Sequence, residues 1–240
     1  MTPPIGTSFR VASAKVADAI PDSGVSRLTF DDADTSGSTA IDVWGDNDGA
    51  ITGATTGVGG IAGYDSGEAF EFDGVDDEVN LGDATALNFG TGSFSLAAWF
   101  NTDDASNRGD IINKQTPDGT FHGYQMGVVN GGFRFQIEDS SGDNVAAQGV
   151  GTVNTGTDIF VVLTWSGSDA TLFRGDATVV DTASNSNVGD IDNTTDVRIG
   201  DASSGYPFDG VIDDPRFYSK ELASTEVSNL FKSEDRKSVV

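Results

Sequence analysis

One stretch of this chain sets polar side chains at a spacing suited to recognition. Arg134, Gln136 and Glu138 alternate with Phe133, Phe135 and Ile137 directly after Asn130-Gly131. Period-two alternation places the three polar groups on one face of a strand and the three apolar groups on the other. A guanidinium, an amide and a carboxylate in a row supply the donors and acceptors that sugar hydroxyls need. Lys114, His122 and Tyr124 lie close by in sequence, and Tyr124 would add an aromatic face for stacking. Trp99 and Trp165 sit inside apolar runs and read as core. Trp44, in a loop between acids, is the tryptophan expected to be exposed. Catalytic pairing is poorly served. Glu68 and Glu71 lie three apart, so a strand would send them to opposite faces rather than converge them on one bond. His122, the only histidine, has no serine or cysteine elbow, and no zincin or P-loop motif is present. The chain reads as non-enzymatic.

The elements that would carry these groups are short strands. Its 31 glycines punctuate brief apolar runs, as in a many-stranded all-β domain of 240 residues. Phe94–Phe100 and Ile159–Trp165 are apolar on both faces and read as central strands. Asn130-Gly131 predicts a tight hairpin between 124–129 and 133–138. Two near-repeats, Phe72-Asp73-Gly74-Val75-Asp76-Asp77 and Phe208-Asp209-Gly210-Val211-Ile212-Asp213-Asp214, each predict an Asp-Gly hairpin turn. Pro215 removes a backbone donor, so its strand should be an edge or locally unpaired there. A helix is predicted after Ser224, with Ser224 as cap, Glu226 at the positive end of its dipole, and Val227, Leu230 and Phe231 on one face. The reading is all-β: a two-sheet antiparallel jelly-roll sandwich with one short C-terminal helix.

Charge limits the partners. There are 38 acids against 13 bases, a net of -25, and no cysteine. Disulfides and thiolate metal sites are excluded. A phosphate backbone would be repelled, so nucleic acid is an unsuitable partner. At molar salt the Debye length is about 3 Å, which would screen such an acidic shell, and a halophilic setting is expected. The start, Met1–Gly6, lacks a basic region followed by an apolar run and reads as no secretory signal. No stretch approaches a membrane span, so no membrane insertion is expected.

The residues Gly67–Asp77, Ser93–Phe100 and Phe208–Leu222, with Leu28–Asp32 and Asp42–Gly49, resemble the laminin-G-like branch of the concanavalin A-like lectin/glucanase superfamily. The resemblance covers residues 26–232, leaving 1–25 as an arm or docking segment and 233–240 as a polar tail. It implies a jelly-roll sandwich with one concave and one convex sheet. It also implies a structural calcium near the rim, for which the matching positions are Asp31, Asp32, Asp42, Asn47 and Asp213. Glycanases of this architecture carry Glu-x-Asp-x-Glu on one strand, and Glu68–Asp73 departs from that spacing. The expected function is therefore a lectin-like surface or adhesion protein recognising a cell-surface glycan or glycoprotein. With no export signal read, a virion surface component of a halophile's virus is the sharper expectation: a turret, spike, fibre head or capsid decoration. Residues 1–25 would dock to other virion proteins or to its own copies as a homo-oligomer. The alternatives are a structural decoration without sugar binding, and an accessory domain of a secreted enzyme.

Overall fold

A computed structural model describes residues 23–61, 67–117, 119–200 and 205–234. Among these the chain forms β1 (Gly24–Arg27), β2 (Thr35–Ser36), β3 (Thr39–Ala40), β4 (Gly49–Thr52), β5 (Thr55–Gly59), β6 (Glu68–Asp73) and β7 (Glu78–Asn80). Then follow β8 (Phe94–Thr102), β9 (Gly109–Gln115), β10 (Gly123–Val129), β11 (Gly132–Glu138), β12 (Asn144–Val150) and β13 (Ile159–Trp165). The last are β14 (Asp169–Arg174), β15 (Thr178–Ser184), β16 (Arg198–Ile199), β17 (Asp209–Tyr218) and the helix α1 (Ser224–Glu234). The expected arm at 1–25 falls almost wholly outside the described residues.

The strands make two antiparallel sheets. The first runs β15-β14-β13-β8-β17-β6-β5, with β1 also against β17; the second runs β12-β11-β10-β9-β16-β7-β4-β3-β2. The inner faces meet in one core that includes Phe70, Phe72, Phe94, Leu96, Phe100, Ile112, Met126, Phe135, Val161 and Trp165. Strands apolar on both faces occur where both faces are covered. On β8 and β13 the alternate residues Ala97, Trp99, Phe160 and Val162 join Phe173, Tyr218, Leu222, Val227 and Leu230 in a second apolar cluster under α1. The helix thus closes the outer face of the first sheet. Its start differs from the expected cap: Glu226 reaches back to accept the Ala223 N–H at 3.0 Å, and Ala223 rather than Ser224 precedes the first turn.

The Asn130-Gly131 hairpin is present, with φ of 52° and 73° at its two central residues and Val129 opposite Gly132. The two Asp-Gly repeats are not hairpins. Gly74 has the expected positive φ of 72°, but its turn carries the chain from β6 in the first sheet to β7 in the second. Gly210 lies inside β17, where an added Cβ would stand 2.2 Å from the Asn101 carbonyl of β8, so glycine serves close strand approach there. The repeats pair with one another: Asp209 faces Asp73 and Gly210 faces Phe72. Pro215 falls in a break of the pairing with β8, as expected, although β17 is central and the Pro215 carbonyl still accepts the Leu28 N–H at 3.1 Å. The register shifts between Asp213 and Arg216, and Asp214 adopts a φ of 53°. This bulge turns the Asp214 carboxylate to Arg27 and Arg216, both of which donate two hydrogen bonds to it.

Candidate functional site

The outer face of the second sheet carries no helix among the described residues. Cross-strand register aligns Gln136 of β11, Gln125 of β10, Asn113 of β9, Arg198 of β16 and Asn80 of β7 in one transverse row. Directly opposed residues of antiparallel strands share a face. The matching inward row is Phe135, Met126, Ile112, Ile199 and Val79. One row packs the core and the other is amide and guanidinium throughout.

Hydrogen bonds knit this face together. Arg134 donates to Gln136 at 2.7 Å and to Gln148 at 3.0 Å, and Gln136 donates to Glu138 at 2.6 Å. Asp110 is wholly buried and accepts from Arg108 through both oxygens, from Asn113 at 2.9 Å and from Gln125 at 2.8 Å. Burial pushes the Asp110 carboxyl upward against the pull of Arg108, and burial likewise raises Glu138. Burial lowers the Arg134 guanidinium from its usual range, and the neighbouring Arg108 adds to that. Gly127 stands opposite Arg134 on one side and Asp110 on the other, and an added Cβ there would stand 2.3 Å from the Gly109 carbonyl and 3.0 Å from Gln125 Nε2, so glycine serves close packing of the strands at that point.

At one end of this face the loops shape two hollows. The Arg108 guanidinium lies 3.7 Å from the ring centre of Tyr206, a stacked cation–π contact. Tyr206 is 37% exposed, one of the few large apolar side chains at the surface. Beside it is a hollow of about 200 Å³ walled by Asp104, Asn107, Arg108, Pro207 and Asp209. Ser106 and Asn107 donate to Asp104 and hold its carboxyl down at about 2, so it stays ionised. Burial and the nearby Asp103 and Asp104 charges push Asp209 the other way. Across the 104–107 loop a wider, open depression of about 660 Å³ is lined by Ser106, Asn130, Val153, Asn154 and Thr155.

Of the sequence candidates, Arg134, Gln136 and Glu138 come together on one strand face. Tyr124 and Lys114 do not join them. They oppose each other on β10 and β9 but face inward. Tyr124 is in the core, where it hydrogen-bonds the Leu87 carbonyl and packs on Phe89 and Phe94, because alternation from Met126 and Val128 turns it inside. Lys114 is buried, its Nζ held by Asp83 and the Thr195 carbonyl. His122 is partly buried, its Nε2 3.2 Å from the Asp190 carbonyl. Trp44 is the least buried tryptophan, as expected, but it lies with the first sheet, edge-on to Tyr218 and near Arg27 and Arg216. Sequence reasoning missed Arg108, Asp110, Gln125 and Tyr206. The one local signal was an aromatic held between Gly205 and Pro207 in a loop.

The five proposed calcium ligands sit in separate hydrogen-bonding settings. Asp42 is fully engaged as a loop organiser: it accepts the N–H groups of Arg27, Trp44, Gly45 and Asn47 and the Asn47 amide. Those donors hold its carboxyl below the usual range despite burial. Asp31 accepts the Glu68 N–H and Asp213 the Ile61 N–H, so the two flank the Gly60–Gly67 contact. Asp32 is exposed. Among the described residues three carboxylates converge elsewhere, at Asp73, Asp76 and Asp77, with oxygens within 4.8 Å of one another.

A sandwich of two antiparallel sheets with a polar outer face and a loop-end hollow defines a class, and sequence comparison agrees with it. Residues 73–228 match the laminin G description of the concanavalin A-like lectin/glucanases superfamily, and the chain belongs to that family. No curated protein matches the sequence. Among solved structures, the chain is similar to the binding domain of Paraclostridial Mosquitocidal Protein 1, at a TM-score of 0.69 and 16% identity, over 88% of this chain and 52% of that one. It is similar to the receptor binding domain of botulinum neurotoxin C/D mosaic serotype, at 0.64 and 14%, over 89% and 52%. It is also similar to Trypanosoma rangeli sialidase in complex with sialic acid, at 0.66 and 18%, over 91% of this chain and 34% of that enzyme. The chain thus spans half of the toxin domains and a third of the sialidase, and the likeness is one of fold.

Proposed function

We propose that this chain is a non-enzymatic glycan-binding domain that works at a surface exposed to cells or their secretions. The observation that carries the reading is the hollow at Tyr206. An exposed aromatic ring backed by a guanidinium borders a space of about 200 Å³. An ionised carboxylate, an amide and an arginine wall it, and the hydrogen-bonded face of Arg134, Gln136 and Glu138 continues from it. A pyranose offers an apolar face to such a ring and hydroxyls to such groups. Similarity to toxin binding domains and to part of a sialidase supports the reading at the level of fold. The decisive measurement is a glycan array probed with the whole chain. Saturable binding that Tyr206→Ala removes, with unchanged melting, supports the proposal. No binding to any glycan would leave a structural decoration as the better account.

The finer setting we propose is a virion or other outer surface in hypersaline medium, on the strength of the charge of -25. Dilution from molar to millimolar salt restores repulsion within the acidic shell, so the melting temperature should fall. A melt indifferent to salt would count against that setting.

A further inference from the structure

We infer that the Tyr206 hollow selects a sugar carrying a free ammonium group, a deacetylated amino sugar, and that Asp209 receives the ammonium. The inference rests on the glycan-binding reading and specifies its ligand class. The charge of the walls points to it. Asp104 and Asp209 both line the hollow, and Arg108 is the one basic side chain among its described lining residues. Arg108 donates to both oxygens of the buried Asp110, and its guanidinium lies on the Tyr206 ring, so its charge is already compensated. Asp104 is held ionised by the donors of Ser106 and Asn107. The Asp209 carboxylate has no hydrogen-bond or ion-pair partner among the described residues. The space is therefore net anionic, with one carboxylate left unmatched.

The strand ends gather these acids. Asp73 closes β6 and Asp209 opens β17, and the two stand directly opposite in register. Asp103 follows β8, and its N–H donates to the Asp209 carbonyl at 3.0 Å. Like charges set opposite on neighbouring strands destabilise a sheet. Burial and the Asp103 and Asp104 charges accordingly raise the Asp209 carboxyl. A cation in the hollow would relieve that repulsion. A bare metal ion suits the space poorly, since about 200 Å³ bordered by Tyr206 and Pro207 offers apolar wall that an ion cannot use. An amino sugar uses every part. Its C–H face lies on the exposed Tyr206 ring, its hydroxyls meet Asn107 and Asp104, and its ammonium faces the Asp209 wall. N-acetylation removes that charge, and a uronic acid would bring a third carboxylate toward two.

The test varies charge on one sugar frame. The whole chain, isotope-labelled, is titrated by amide shift with the methyl glycosides of glucosamine, N-acetylglucosamine, glucose and glucuronic acid, and with ethylamine, at a salt concentration where it is folded. The glucosaminide should bind roughly tenfold or more tighter than each of the others, as one charge-assisted hydrogen bond allows. Asp209→Asn should bring the glucosaminide to the level of the glucoside while glucoside binding persists. Asp46→Asn should leave the preference intact, because that exposed acid lies two residues from Trp44, which packs on Tyr218 at the far end of β17. An equal loss in Asp46→Asn would mean that overall charge is acting, and overturns the inference. If Asp209→Asn lowers the melting temperature, the preference of the unaltered chain alone decides. Equal binding of the glucosaminide and a neutral glycoside, or tighter binding of the glucuronide, overturns the ammonium inference and leaves glycan binding standing. Ethylamine binding as tightly as the glucosaminide overturns it too, since charge without a sugar then suffices. Binding of none of the sugars also overturns it, and the glycan array then judges the broader reading separately.

Discussion

The two outer faces of the sandwich have opposite fates. Strands β8 and β13 present Trp99, Phe160 and Val162 outward, and α1 covers them with Val227 and Leu230. Strands β9, β10 and β11 present Asn113, Gln125, Arg134 and Gln136 outward, with no helix over them among the described residues. The inner faces of both sheets supply one apolar core. Stability needs only one covered side per sheet, so the second covered face is surplus core and the second sheet's polar face is free for recognition. Cutting into the first should unfold the protein, whereas cutting into the second should blunt binding and leave the fold.

The largest effect is expected under the helix. Phe160→Ala empties a buried ring site between Trp99 and Phe231 and should cost about 3–5 kcal/mol. Chemical denaturation measures it directly. A loss below about 1 kcal/mol would mean that α1 is a loose appendage, and the contrast between the faces would collapse.

Next come two buried carboxylates. Asp214 in the β17 bulge is flanked by Arg27 and Arg216, and although burial raises its carboxyl, the two guanidiniums bring it below the ordinary value. Asp110 on the polar face has one arginine and two amides, and burial wins, raising it. A depressed folded pKa gives stability that is complete above the unfolded value of about 3.9 and is lost as pH falls through the folded one. A raised one works the other way: protonation on acidification favours the native state. Asp214→Asn strands two guanidiniums, one of them buried, and should cost about 3–5 kcal/mol at neutral pH, with the deficit vanishing at strongly acid pH. Asp110→Asn should cost clearly less, and its deficit should shrink at a higher pH than that of Asp214→Asn. Melting curves of both variants from pH 7 to pH 2 make the comparison, and identical profiles would refute it.

The architecture was legible in sequence because its signals are local. Alternation in 133–138, double-sided apolarity in 94–100 and 159–165, and Asn130-Gly131 each report their own backbone. The Asp-Gly repeats misled because glycine answers two needs. Gly74 supplies a positive φ in a crossing between sheets, while Gly210 admits the Asn101 carbonyl of the next strand. Only the fold distinguishes these. The candidate site was half legible for the same reason. Arg134, Gln136 and Glu138 share one strand, whereas Arg108, Asp110, Gln125 and Tyr206 meet them from three other segments. Tyr124 was misplaced by treating nearness in sequence as nearness on a face. One step of register from Gln125 turns its ring into the core.

The smallest expected effect is the most discriminating. Gln125 is fully buried, yet its carbonyl oxygen has no partner, so it already carries a desolvation cost. Gln125→Met keeps the length of the side chain and removes both that oxygen and the bond to Asp110, which still accepts from Arg108 and Asn113. The two changes oppose each other, and the net should fall within about 1 kcal/mol of zero. Binding at the neighbouring hollow should weaken nonetheless, since the amide no longer holds Asp110 and Arg108 behind Tyr206. A loss of stability near that of Phe160→Ala would instead make the polar row part of the structural core, and the division of labour between the two faces would be wrong.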